Sequence, residues 1–307
     1  FSPSVAATVS FDNGSWNGAG NVYTAQFDVL DANVTVSDID VTISGARDLA
    51  GNLQVANEAI DAFSIDTANP TVTSVEASDP LLTDADLGAA KQTFTVTFSE
   101  AMDKSVAPAL TFSPAIATTL SNPSAGSWNE AGTVFTVTYD VADGGVTEAG
   151  VSVDVTGAKD AAGKAQADYT AAVEFAVDTQ NPTITSVEAA GALSTSGTID
   201  LVISEADADG AATVTLTIGF SETMNKTVSP SIAFSDNVLG TSLTAVSGTW
   251  NEAGTVFTAV YTAVDANLEV KGVDVTITAA TDAAGNVMVS NTETDAFDIA
   301  TISAADS

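Results

Sequence analysis

Ser127-Trp128-Asn129-Glu130-Ala131-Gly132-Thr133-Val134-Phe135-Thr136-Val137-Thr138-Tyr139 reads as a turn running into a strand. From Thr133 onward polar and apolar residues alternate with period two, which turns one face of a strand inward and leaves the other in water. The stretch recurs as Thr249-Trp250-Asn251-Glu252-Ala253-Gly254-Thr255-Val256-Phe257-Thr258, and more loosely as Ser15-Trp16-Asn17-Gly18-Ala19-Gly20-Asn21-Val22-Tyr23-Thr24. A second landmark, Asp-x-Ala-Gly-x, begins 32 residues after each Trp, at Asp48, Asp160 and Asp282. The copies are thus spaced by 112 and 122 residues. Solenoid repeats run to roughly 20–50 residues, so each copy is the size of a whole domain.

Period-two alternation continues in Gln92-Thr93-Phe94-Thr95-Val96-Thr97-Phe98, in Val151-Ser152-Val153-Asp154-Val155 and in Val273-Asp274-Val275-Thr276-Ile277. Gly, Asn, Asp and Pro punctuate these runs, and no stretch has helical periodicity. Copy two reads as about seven short strands, beginning near Thr71, Gln92, Ala109, Thr118, Thr133, Val151 and Ala171. That number in a domain of this size predicts an all-β chain of tandem immunoglobulin-like β-sandwiches. Boundaries fall at Asp66-Thr67-Ala68-Asn69-Pro70-Thr71 and Asp178-Thr179-Gln180-Asn181-Pro182-Thr183, where Pro fixes φ and holds the preceding Asn extended. The expected domains are 1–68, 69–180 and 181–307, the last with an insertion near 197–212. Phe1-Ser2-Pro3 aligns with Phe112-Ser113-Pro114, so the first copy is expected to lack its opening strands. Two readings follow: a segment of a longer protein, or a sandwich completed by strands from a neighbouring molecule.

Charge narrows the function. Forty Asp and Glu face seven Lys and Arg, a net charge of −33. Such a surface repels phosphate backbones and anionic headgroups, which argues against nucleic acid and membrane as partners. Self-repulsion also opposes close packing of neighbouring domains unless cations intervene. Cys and His are both absent, which removes disulfides, the commonest general base and the commonest transition-metal ligand. A nucleophile would have to rely on Lys or a carboxylate, and acidic pairs are too frequent here for any one to mark a catalytic site. The expectation is a protein that is not an enzyme.

Phe98-Ser99-Glu100-Ala101-Met102-Asp103, followed by Asp160-Ala161-Ala162-Gly163, resembles the bacterial Ig-like domains found in tandem in S-layer proteins and large surface adhesins. Phe220-Ser221-Glu222-Thr223-Met224-Asn225 with Asp282-Ala283-Ala284-Gly285-Asn286 repeats the pairing, and copy one keeps only Asp48-Leu49-Ala50-Gly51-Asn52. The resemblance implies an exported, non-catalytic module at the bacterial cell surface, often with calcium at domain junctions.

Candidate calcium ligands fall in two groups. In the Asp-x-Ala-Gly loop, Asp48 with Asn52 and Asp282 with Asn286 offer hard oxygens, while the competing reading is an Asx turn with Gly at positive φ. Lys164 replaces that Asn in copy two and argues against metal there. At the junctions, Asp66 and Asp178 end one domain, Glu100, Asp103 and Glu222 lie in a strand-end loop of the next, and Asp84-Ala85-Asp86 adds carboxylates nearby in sequence; the competing reading is a solvated acidic face. Asp207 and Asp209 add a segment that opens like a calcium loop, although Leu216 stands where an EF-hand would place Glu. Asp31, Asp143 and Asp265 recur and read as turn residues, with metal binding the alternative; Trp16, Trp128 and Trp250 read as core aromatics, with a sugar-stacking platform the alternative, and Tyr23, Phe27, Phe135, Tyr139, Phe257 and Tyr261 as core. The expected function is mechanical: a stalk of a surface adhesin with calcium stiffening its junctions. The runner-up is a subunit of an extracellular filament or S-layer, joined to copies of itself by β-strand complementation.

Overall fold

A computed structural model describes residues 1–191, 202–204 and 213–302. The described chain is all-β, interrupted only by two short 3-10 turns. Copy one holds β1 (Val9–Trp16), β2 (Tyr23–Val29), β3 (Thr35–Ile43) and β4 (Asn57–Asp66). Copy two holds β5 (Val72–Ala77), β6 (Leu81–Leu82), β7 (Gly88–Phe98), β8 (Ala109–Ser113), β9 (Leu120–Ser121), β10 (Ser127–Trp128), β11 (Val134–Val141), β12 (Thr147–Thr156) and β13 (Val173–Asp178). Copy three holds β14 (Ile184–Gly191), β15 (Val202–Ser204), β16 (Thr213–Phe220), β17 (Ser231–Phe234), β18 (Leu243–Trp250), β19 (Val256–Ala263), β20 (Glu269–Thr278) and β21 (Asn291–Ala300). Copy two has nine strands rather than about seven, because two-residue pairings at Leu81 and Ser127 are too short to leave a periodic signal.

Copy two folds as two sheets. One runs β10-β11-β7-β5, with β9 also on β11, and the other runs β6-β13-β12-β8. Copy three repeats this as β14-β16-β19-β18 and β15-β21-β20-β17. The strand pairings of copies two and three are antiparallel except that β6 lies parallel to β13 and β15 parallel to β21. The two sheets share one core. Phe94, Val96, Phe135 and Val137 come from the first sheet of copy two, and Val151, Val153, Val155, Phe175 and Val177 from the second. These are the apolar members of the alternating runs. Each fully buried Val or Phe contributes about 1.5–3 kcal/mol, so the alternation itself selects the two-sheet arrangement. Copy three buries the equivalent set, including Leu216, Ile218, Phe257, Val275, Ile277 and Phe297.

Copy one is thinner. It consists of two separate two-stranded sheets, β1-β2 and β3-β4, over a buried core of Val5, Ile39 and Ile65. Tyr23 and Phe27 are therefore 48% and 41% exposed, against the expectation that they fill a core. Trp16 is 53% exposed and packs on Tyr23, whereas Trp128 and Trp250 are half-buried between Phe98 and Phe135, and between Phe220 and Phe257. The first copy lacks partners for these rings because the described chain contains no counterpart there of β5 or β7.

Candidate metal centre

The two halves of the repeated motif meet in space. After Trp128 the chain turns back at Asn129, whose Oδ1 accepts from the Thr133 and Val134 amides. Gly132 closes the turn at φ +74°, and a Cβ there would stand 3.1 Å from the Met102 carbonyl. That close approach lets the Met102 amide donate to the Gly132 carbonyl, which seats the Glu100–Met102 loop against the hairpin. On its other side Met102 bridges to Asp160. Met224 does the same between Gly254 and Asp282. Thus Phe-Ser-Glu-x-Met and Asp-x-Ala-Gly are joined by one antiparallel bridge, and the Glu is carried to the loop Asp.

The linker supplies a third carboxylate. Thr71 exchanges hydrogen bonds with Ser99: its amide donates to Ser99 Oγ, and the Ser99 amide donates to its carbonyl. Thr183 and Ser221 repeat this. The start of each copy is thereby pinned beside Glu100 or Glu222, and the end of the preceding copy comes with it. One carboxylate oxygen from each of Asp66, Glu100 and Asp160 lies within 4.8 Å of the others, and so does one from each of Asp178, Glu222 and Asp282. Asp66 and Asp178 also accept from Thr35 and Thr147, which fixes them at the ends of β4 and β13.

These carboxylates are electrostatically uncomfortable. At an effective dielectric near 20, two unit charges 4.8 Å apart repel by roughly 3–4 kcal/mol. Burial, reinforced by the charges of Asp66 and Asp160, raises the Glu100 carboxyl above its ordinary range. Burial, reinforced by Asp282 and Asp178, pushes Glu222 up to about 7. Asp84 in the 3-10 turn at Asp84–Asp86 is raised by burial and by Asp143, Asp282 and Asp178, although Asn181 donates to it. It joins the second junction from the upstream copy, and its Oδ1 is enclosed without a hydrogen-bond partner.

Asp160 is 1% exposed. Its Oδ1 accepts from the Lys164 amide, four residues on rather than the two anticipated for an Asx turn, and its Oδ2 is buried without a partner. In the second junction Asp282 Oδ1 accepts from the Gly285 and Asn286 amides and Oδ2 from the Asn286 side chain. At Asp160 the turn occupies one oxygen and leaves the other free for an ion, whereas both oxygens of Asp282 already accept within the loop.

The anticipated residues sort as follows. Asp66 with Glu100, and Asp178 with Glu222, are brought together across the linkers. Asp160, set aside because Lys164 follows it, belongs to the first cluster: Lys164 turns its ammonium away to Asp31 Oδ2, 2.6 Å distant. Asp282 joins the second cluster, and Asn286 braces it, its side-chain NH2 donating to Asp282 Oδ2 while its side-chain oxygen accepts from the Asp84 amide. Asp103 turns back onto the Ser105 amide and hydroxyl, which hold its carboxyl below the usual range. Asp48 is exposed, and hydrogen bonds from Asn52 lower its carboxyl, so that pair makes a surface turn. Asp207 and Asp209 lie outside the described residues. Asp31, Asp143 and Asp265 each accept from the amide two residues on, as turn residues do.

Both clusters can hold a metal ion. Every donor is a hard carboxylate oxygen, which suits calcium, magnesium or manganese and not zinc or copper. Two oxygens on opposite sides of one calcium stand about 4.6–5.2 Å apart, twice its bond length, so oxygens this close can share an ion. Compared with known proteins, the chain matches no protein-family model and no curated sequence. Among the described residues, no helix is long and apolar enough to cross a membrane.

Proposed function

We propose that this chain is a stretch of stalk from a bacterial surface adhesin, built of tandem Ig-like domains and stiffened by calcium at its junctions. The carrying observation is that one carboxylate triad is built twice. Each takes one ligand from the end of the upstream copy and two from the downstream copy. A cation there bonds both copies at once, and it relieves the repulsion that a net charge of −33 imposes on neighbours in a row. The unpartnered, buried Oδ2 of Asp160 supports the same reading, because a buried charged oxygen without a donor is costly and a cation satisfies it. The role is mechanical extension at the cell surface without catalysis, and the partners are adjacent domains of the same kind.

The test is calorimetric titration of calcium chloride into the chelator-treated chain, together with small-angle scattering in calcium and in chelator. Binding at the junctions and a longer, narrower particle in calcium support the stalk. No heat and unchanged maximum dimension sink it. Copy one favours a second reading, a filament subunit joined by strand complementation. Phe11, Trp16, Tyr23 and Phe27 are exposed on the β1–β2 hairpin, where copy two seats β7. Fusing Thr71–Thr111 to the N-terminus then abolishes polymer growth; a chain that is monomeric without the fusion rules this reading out.

A further inference from the structure

The two junctions carry the same triad but are tied differently, and the difference traces to the residue four places after the loop Asp. In the second junction that residue is Asn286, 1% exposed. Its side-chain NH2 donates to Asp282 Oδ2 and to the Asp178 carbonyl at the end of the upstream copy. Its side-chain oxygen accepts from the Asp84 amide, 2.9 Å away, which is also upstream. Asn181 in the linker donates to both Asp84 Oδ2 and the Val287 carbonyl. The contact is closed by amide hydrogen bonds; those to the Asp178 carbonyl and from the Asp84 amide link the two copies without using a charged group of either.

In the first junction the residue is Lys164. It has no side-chain amide to offer Asp160 Oδ2, which is left buried and unpartnered. Its ammonium instead reaches Asp31 in copy one, with Asp31 60% exposed. An ion pair that open is screened by solvent and adds little to the contact. Asn69 in the linker, the counterpart of Asn181, donates to the Ala165 carbonyl and so ties the linker to copy two.

Resting on the calcium reading above, we infer that the first junction is the cation-dependent hinge of this chain, whereas Asn286 holds the second junction closed whether or not a divalent cation is bound. At the first junction a cation supplies the partner that Asp160 Oδ2 lacks. At the second it adds to a contact that is already closed.

The chain has no Cys, so spin labels can be placed at will. Ala19, Ala131 and Ala253 are exposed and occupy the same position in the three hairpins. Ala19→Cys with Ala131→Cys spans the first junction, and Ala131→Cys with Ala253→Cys the second. Pulsed dipolar distances are measured on the full chain with calcium chloride and after chelation. Chelation is expected to broaden the first distribution and leave the second unchanged. Lys164→Asn, which restores the amide, makes the first junction insensitive to the chelator, and Asn286→Lys makes the second sensitive. Circular dichroism of each variant confirms that it folds, and labelling the unswapped chain tests the inference even where a variant does not. Calcium binding with equal broadening at both junctions overturns the asymmetry and leaves the stalk reading standing. Absence of both calcium heat and broadening overturns the two together.

Discussion

Copies one and two present the same hairpin to different surroundings. Asn17 Oδ1 accepts from the Asn21 and Val22 amides just as Asn129 Oδ1 accepts from Thr133 and Val134. Trp16 pairs with Tyr23 in register as Trp128 pairs with Phe135. Yet Phe135 is 2% exposed and Tyr23 is 48% exposed. The turn is a local property, set by an Asn that bonds its own backbone and a Gly at positive φ. Burial is not local: it requires β7 on the neighbouring edge of β11, and β2 has no such neighbour among the described residues. The pattern that forms a strand is thus separable from the packing that stabilises it.

The largest effect that sharpens this contrast is a core truncation. Phe94→Ala removes a fully buried ring that touches Phe112, Tyr139 and Phe175, and is expected to cost about 3–5 kcal/mol. Phe27→Ala in copy one is expected to cost about 0.5 kcal/mol or less, as exposed substitutions do. Urea unfolding with hydrogen exchange resolved by copy measures both, and equal costs would break the contrast.

Calcium comes next. At a free concentration a hundredfold above its dissociation constant, one bound ion stabilises by about 2.7 kcal/mol. Slower exchange is expected in the loops at Asp160 and Asp282 and not at Asp48, whose carboxylate stands outside both clusters. Protection at all three loops would mean that the Asp-x-Ala-Gly turn binds the ion by itself.

Gly132→Ala follows, at about 1–2 kcal/mol for a left-handed backbone, with the Met102 carbonyl 3.1 Å from the new Cβ adding to it. Gly20→Ala meets no atom within 4 Å, so it carries the backbone cost alone. Paired thermal melts should place Gly132→Ala lower.

A further effect is on pH. Without divalent cation, Glu222 titrates at about 7 when folded, above its ordinary 4.5. A raised carboxyl contributes stability that is fully present below the unfolded pKa and is lost as pH rises through the folded one. Melting temperature in chelator should therefore decline between about pH 4.5 and 7. Glu222→Gln should flatten that slope, and a slope of the opposite sign would exclude this origin.

Much of the fold was legible because alternation is written residue by residue, as in Gln92–Phe98 and Thr133–Tyr139. The pairs Asp66–Glu100 and Asp178–Glu222 were legible because short linkers leave the end of one copy no room to stray from the loop of the next. Asp160 was not. Sequence shows Lys164 four residues away but not that its side chain extends to Asp31. Asp103 was misplaced for the converse reason: it lies three residues from Glu100, yet Ser105 recaptures its carboxylate. Asp84 stood out only as part of an acidic stretch, since its place at the second junction depends on a surface of copy two meeting Asn286, 202 residues later.

The parallel pairing of β6 with β13 has a consequence for a chain under tension. Leu81 and Leu82, near the start of copy two, lie beside Ala176 and Val177, near its end. A pull on the two termini drags these strands in opposite directions along their length, so their hydrogen bonds are sheared together instead of being unzipped one at a time. Val202–Ser204 against Asp298–Ala300 gives copy three the same clamp. Copy one has no parallel pair among its described residues. Stretched between a bead and a surface, the chain should surrender copy one at the lowest force and the clamped copies well above it. Simultaneous rupture of all three would show that the clamp does not set the order.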